Sequence, residues 1–233
     1  MRLHRALVLV VLVLVTLTPP LSAKLERLQA PDPTKGLIGV RVTNQEGIAK
    51  GGADVVYFAR VVEGADAAAD APLIPSNFGK ARNIYLLNAE PGRYVVVAAE
   101  IVRPPPQTRT VLLLAQEYYS QTEIEVKAGS VIFMGEILLK SSPKSDELDE
   151  TQAKNLNTIM KISPKLGVMD RAMGLKFAAP AVFKSLGRGD DVELEFWSSA
   201  ANNHFRGEDA WVSLIKHRPV LRAPLAAKPP PAP

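Results

Sequence analysis

The sequence predicts a mainly β protein, with an antiparallel sandwich or barrel over residues 36–140 followed by a small α+β region. Three observations lead to this prediction. Short β-branched runs alternate with Gly, Pro and Asn turn signals from residue 36 onward, no long helical period interrupts them, and the pattern becomes helical after Ser141. Because parallel sheets need long crossover connections, usually helices, the pattern argues against a βαβ fold.

Six or seven short segments have the alternation and the β-branched composition of strands. They are residues 37–42, 53–62, 83–88, 93–102, 109–115, 119–126 and 131–139. The segment 109–115 ends in Leu-Leu-Leu-Ala, which could instead form a turn of helix. Pro91-Gly92 predicts a tight turn, because Pro presets φ and Gly accepts a positive φ, and Gly129 marks a second turn. Residues 64–75 are expected to form a loop.

Residues 141–218 are predicted to form the α+β region. A helix is expected over about 146–162, because Ser145 can cap it, acidic residues fill its first turn and Pro164 ends it. Its remaining elements are short helical pieces at 165–173 and 180–186, a half-buried strand at 191–198, and either a strand or a short helix at 210–216.

The first 23 residues have the three parts of a secretory signal peptide. Arg2 and Arg5 give a positive start, residues 6–18 are an almost unbroken apolar run, and Ala23 ends the segment. The run is shorter than the roughly 20 residues of a membrane span. We therefore expect an exported protein, periplasmic or extracellular. The alternative is that residues 6–23 are not cleaved and anchor the chain in the inner membrane. Only in that case do we expect the membrane to be a partner.

The two remaining segments are polar or Pro-rich. Residues 24–35 are expected to form a linker, and residues 219–233 a Pro-rich disordered tail. The chain has no cysteine, so disulfides cannot stabilise the exported fold. The net charge of +4 falls to +2 once Arg2 and Arg5 are removed, and no basic face concentrates Lys and Arg, so we expect no nucleic-acid partner.

Candidate catalytic and metal-binding residues are few. Gly-x-Ser-x-Gly, His-Glu-x-x-His and the phosphate-loop pattern do not occur in the sequence. The best polar cluster spans residues 202–209, where His204, Glu208 and Asp209 are candidates for a metal site. Gly207 favours instead a polar connection between two strands. We therefore predict no catalytic residue and no cofactor, and we do not expect an enzyme.

Two further patterns allow a structural and a functional interpretation. Acidic residues at 190–195 are either the solvated side of a strand or a calcium-type edge. Aromatic residues of the predicted strands either fill the core or form an exposed row for a carbohydrate. These aromatic residues are Tyr57, Phe58, Tyr85, Tyr94, Tyr118, Tyr119 and Phe133.

The stretch 36–139 contains GLIGVRV, YLLNAEPGRYVVVAAE and IEVKAGSVIFMGEILL. Its Pro-Gly-x-Tyr turn into a Val-rich strand and its Ala-Gly-x-Val turn resemble those of small prealbumin-like sandwiches. This group includes carboxypeptidase-regulatory-like domains and DUF2846-type bacterial lipoproteins. The resemblance implies a seven-stranded sandwich with a non-catalytic role, and it supplies no site residues. The chain lacks the acylated cysteine of the lipoprotein members.

Together these observations predict an exported, non-enzymatic envelope protein that serves as an interaction or accessory module. Its expected partner is another envelope protein or a cell-wall polysaccharide. Two alternatives stay open: a periplasmic binder of a small apolar ligand or carbohydrate, and a metal-dependent cell-wall hydrolase that uses the cluster at 202–209.

Overall fold

The computed structural model describes residues 28–45, 50–61, 71–103, 108–141, 148–163 and 178–218. The predicted signal peptide, the Pro-rich tail and the expected helical piece at 165–173 lie outside these ranges. Eleven strands occupy one sheet. They are β1 (Gly36–Asn44), β2 (Gly51–Gly52), β3 (Val55–Val61), β4 (Leu73–Pro75), β5 (Phe78–Lys80), β6 (Asn83–Ala89), β7 (Gly92–Arg103), β8 (Thr108–Leu114), β9 (Ile124–Val126), β10 (Val131–Ser141) and β11 (Ala178–Gly187).

Helices occupy two parts of the described chain, one before β11 and one after it. A short 3-10 turn, Gln116–Tyr118, leads into α1 (Tyr119–Thr122), and α2 (Glu150–Ile162) follows β10. After β11 come α3 (Asp190–Ser199), a π-helical turn (Ala200–His204) and α4 (Asp209–Lys216).

The sheet is mixed, with the strand order β4-β3-β7-β8-β11-β10-β1-β6-β5; β2 pairs with β1, and β9 with β7. Strands β1 and β10 are parallel, as are β8 and β11. The mainly β class is therefore confirmed, but the antiparallel seven-stranded sandwich is wrong in strand number and in pairing. The error has a physical cause, because β11 comes from the region after residue 140 and inserts between β8 and β10.

The two strands at the ends of this order, β4 and β5, are consecutive in the chain. Strand β4 pairs with β3, strand β5 pairs with β6, and only Ser76 and Asn77 separate β4 from β5. The Ser76 amide donates to the Val56 carbonyl (2.8 Å), and the Asn77 amide donates to the Tyr85 carbonyl (3.2 Å). The sheet therefore curls until its end strands are neighbours, and the predicted loop at 64–75 contains an edge strand.

Alternate residues of β1, β6 and β10 face two separate cores. Ile38, Ile84 and Met134 belong to the larger core, whereas Leu37 and Tyr85 belong to a smaller one formed with α3 and α4. Both faces of this part of the sheet are buried, which explains why its strands are almost continuously hydrophobic. The C-terminal helical layer, defined as residues 190–218, thus covers one face of the sheet.

Four local predictions after residue 140 have different outcomes. The helix predicted over 146–162 is confirmed as α2, with Asp149 rather than Ser145 as its cap; Asp149 and Gln152 form a reciprocal capping box. The expected strand at 191–198 is wrong, because this segment is α3. The expected helical piece at 180–186 is also wrong and belongs to β11. At 210–216 the helical alternative is the observed one.

Candidate functional site

His204 ends the π-helical turn and lies between the sheet and the helical layer. Its side chain is only 7% exposed. Its Nδ1 atom is hydrogen-bonded to the Tyr85 hydroxyl of β6 at 2.7 Å, and its Nε2 atom is 3.4 Å from the hydroxyl of Ser199. Both ring nitrogens therefore have a neighbour within the protein, and the three side chains form one series, Tyr85–His204–Ser199.

The π-helical turn explains why His204 points at the sheet. The amide of Phe205 donates to the carbonyl of Ala200 (2.9 Å), a bond that spans five residues instead of four. The wider turn places Phe205 in the smaller core and keeps His204 beside Tyr85. Gly207 then reverses the chain with a φ of +90° before α4 begins. Such π-helical turns often occur at functional sites.

The structure separates the residues proposed for a metal site. His204 is turned inward, Glu208 occupies the N-cap position of α4 without a side-chain capping bond, and Asp209 lies in the exposed first turn of α4. In the part of the chain that the structure describes, no group of three or more His, Asp or Glu side chains is arranged to hold a metal ion. The segment 202–209 joins two helices and not two strands as the sequence suggested.

Two effects favour the neutral form of His204. Burial lowers the pKa of His204, and the nearby charges of Lys80 and Arg41 lower it further. The ammonium group of Lys80 also donates to the carbonyl of Asn203 (3.0 Å), which holds this charge beside the turn. A neutral imidazole can accept one hydrogen bond and donate another, which is compatible with hydroxyl partners at both ring nitrogens.

Most of the aromatic residues in the predicted strands are buried in the core. Six of the seven are buried, and Tyr118 is partly buried and stacks on Phe183. The interpretation as an exposed carbohydrate row is therefore wrong. Tyr85 contacts the rings of Phe196, Trp197 and Phe205. Aromatic packing fixes the helical layer on the sheet.

The acidic residues predicted on a strand instead form the exposed side of α3. We call Asp190, Asp191, Leu194 and Glu195 the acidic face of α3; all four are exposed. Leu194 is 58% exposed and is the one large hydrophobic side chain that is exposed among the described residues. Arg41 forms an ion pair with Glu195 at 3.2 Å, which leaves the face negative overall.

A second polar cluster lies beneath α2, and the sequence did not indicate it as a site. The Glu100 carboxylate on β7 is 0% exposed. It accepts hydrogen bonds from the hydroxyls of Tyr57 (2.8 Å) and Ser163 (3.0 Å) and from the guanidinium of Arg109 (3.0 Å). Burial and the Glu100 charge raise the pKa of Tyr57, which stays protonated. A single charged residue inside the apolar run RYVVVAAEIV was the available signal.

The fold and these clusters define a class of protein: a curled mixed β-sheet that carries an aromatic helical layer on one face. Comparisons with protein-family models, curated proteins and solved structures give no match to this chain. None of the helices in the described ranges is long and apolar enough to cross a membrane.

Proposed function

We propose that the protein is an exported, non-enzymatic interaction module of the cell envelope and that the acidic face of α3 is its contact surface. The observation that carries this proposal is the 58% exposure of Leu194 amid carboxylates. Contact surfaces have an apolar centre and a polar rim, and we assign these roles to Leu194 and to the carboxylates around it. The negative charge of the face fits a basic segment of a partner protein.

Strand addition is a weaker route to a partner. The end strands β4 and β5 have three residues each and lie next to one another. A peptide that extends a sheet needs a longer row of free backbone groups. The helical layer offers the better surface, because α3 presents Asp191, Leu194, Glu195 and Ser198 on one side.

A photoreactive residue in place of Leu194, in the full-length protein in cells, tests the contact surface. We expect one discrete adduct with a protein, and we expect Asp191→Lys to reduce it. The matched control replaces Glu125, whose side chain is 65% exposed on β9. Identical adducts at both positions, or none at 194, would overturn the proposal. So would binding to isolated cell-wall polysaccharide that Asp191→Lys leaves unchanged, because it would assign recognition to another surface.

Export is the second half of the proposal and rests on residues 1–23. Arg2, Arg5 and the apolar run at 6–18 precede the small residue Ala23. Sequencing the N-terminus of the protein from fractionated cells is expected to begin at Lys24 in a soluble fraction outside the cytoplasm. If the protein keeps residues 6–23 and sediments with the inner membrane, this result would overturn secretion and support the anchored alternative.

One observation bears on a serine-type hydrolase, which differs from the metal-dependent hydrolase that the sequence left open. The series Ser199–His204–Tyr85 has the order of a nucleophile, a base and an orienting group. The 3.4 Å separation of Ser199 from His204 and the low exposure of His204 favour a structural role. A nitrophenyl ester is the test substrate: turnover that both Ser199→Ala and His204→Ala abolish, with the fold intact, would establish the hydrolase.

A further inference from the structure

Two of the three fully buried side chains of helix α2 are polar. Its buried residues are Gln152, Asn155 and Ile159, and Ser163 follows directly after its last turn with 2% exposure. Most helices of globular proteins bury an apolar stripe instead. Leu148, Leu156 and Ile162 add only partly buried contacts to the larger core.

Three buried polar contacts have the same direction: the α2 segment supplies each donor, and β7, β8 or α1 supplies the acceptor. Gln152 donates its amide to the carbonyl of Leu113 on β8 (3.1 Å). Asn155 donates to the hydroxyl oxygen of Tyr119 (3.0 Å), and Ser163 donates to the carboxylate of Glu100 (3.0 Å). Each bond can be exchanged for a bond to water when the helix separates, so each contributes little net free energy.

We propose that α2 is a cover that opens as a unit while the sheet and the C-terminal helical layer stay folded. Opening gives water access to the Glu100 carboxylate, the carbonyl of Leu113 and the hydroxyl of Tyr119. Glu100 keeps its bonds to Tyr57 and Arg109, so the carboxylate remains paired after Ser163 leaves. The open form therefore presents a row of hydrogen-bond acceptors that the closed form hides.

Thiol labelling of the full-length protein tests this opening, because the chain has no cysteine of its own. Ile159→Cys places one thiol under α2, and Ile215→Cys places a matched thiol under α4; the two isoleucines are 0% and 1% exposed. We expect the thiol at position 159 to react at least about tenfold faster under native conditions, with little dependence on low denaturant. Equal rates, or a faster reaction at position 215, would overturn the proposal.

A second pair of variants shows whether the polar contacts hold the cover. In the Ile159→Cys background, Asn155→Ala removes the bond to Tyr119 and is expected to speed labelling about fivefold. Thr158→Ala is the control, because Thr158 is only partly buried and its described hydrogen bond is an exposed one to the carbonyl of Lys154 in the same helix. Equal effects of the two substitutions would contradict the proposed role of the donors.

Hydrogen exchange measured on the unsubstituted protein tests the opening of α2 without any effect of the introduced cysteine. The amides of α2 are expected to exchange before those of β7, β8 and α3. Exchange of α2 together with the strands, only in global unfolding, would refute independent opening whatever the variants show.

Discussion

Two helical regions cover the same sheet and are held by different forces. The α2 segment is attached through the donors Gln152, Asn155 and Ser163, one fully buried apolar side chain and three partly buried ones. The C-terminal helical layer is attached through Phe196, Trp197 and other buried rings. Burying a large apolar side chain contributes about 1.5–3 kcal/mol, whereas a typical hydrogen bond contributes about 1 kcal/mol. We therefore expect the C-terminal helical layer to stay attached to the sheet when α2 opens.

The largest expected effect comes from the aromatic layer. Phe196→Ala removes a ring that contacts Tyr85, Phe133 and Trp197 and leaves a cavity between sheet and helix. We expect a loss of about 3–5 kcal/mol in the free energy of unfolding, measured by denaturant titration. Leu194→Ala on the exposed side of the same helix is the control and should change stability by less than about 0.5 kcal/mol. Similar losses for both would show that the rings do not hold the layer.

The next effect concerns the cluster under α2. Glu100→Gln keeps the shape of the side chain and removes the carboxylate that pairs with Arg109. We expect a loss of about 1.5–3 kcal/mol, because the hydrogen bonds from Tyr57, Ser163 and Arg109 lose their charged acceptor. Hydrogen exchange should locate the change in α2 and β8 and leave α3 unaffected. Glu125→Gln, at an exposed position on β9, is the matched control, and an equal loss there would contradict the argument.

The smallest effect is the pH dependence that His204 contributes. The folded protein lowers the pKa of His204 below its ordinary value of 6.5. The unfolded chain therefore binds more protons, so this contribution is complete above pH 6.5 and is lost as the pH falls through the folded pKa. Denaturation midpoints between pH 8 and 5 should fall less for His204→Gln than for the unsubstituted protein. An equal fall would exclude His204 as the cause.

The sequence alone was sufficient to predict the secondary-structure elements that have strong local signals. Strands β1, β7 and β10 lie close to their expected bounds, because Val- and Ile-rich runs end at turn residues such as Pro91-Gly92. Helix α3 was misread because Val192, Leu194 and Phe196 alternate like a strand. Its burial follows helical spacing instead, since Phe196, Trp197 and Ala200 are buried and Leu194 is exposed.

Long-range partners could not be predicted from local patterns. His204 was singled out, but its partner Tyr85 is 119 positions away, and no local rule pairs them. The parallel pairs of β1 with β10 and of β8 with β11 likewise leave no turn signal in the sequence. Glu100 was overlooked because a charged residue in a strand usually faces solvent.

The position of β11 has a consequence for synthesis of the chain. This strand lies between β8 and β10, yet it follows both of them in the sequence. A nascent polypeptide that ends before residue 178 lacks the strand that pairs with both β8 and β10. The complete sheet therefore forms only after residues 178–187 have been synthesised, and its long-range pairing is slow.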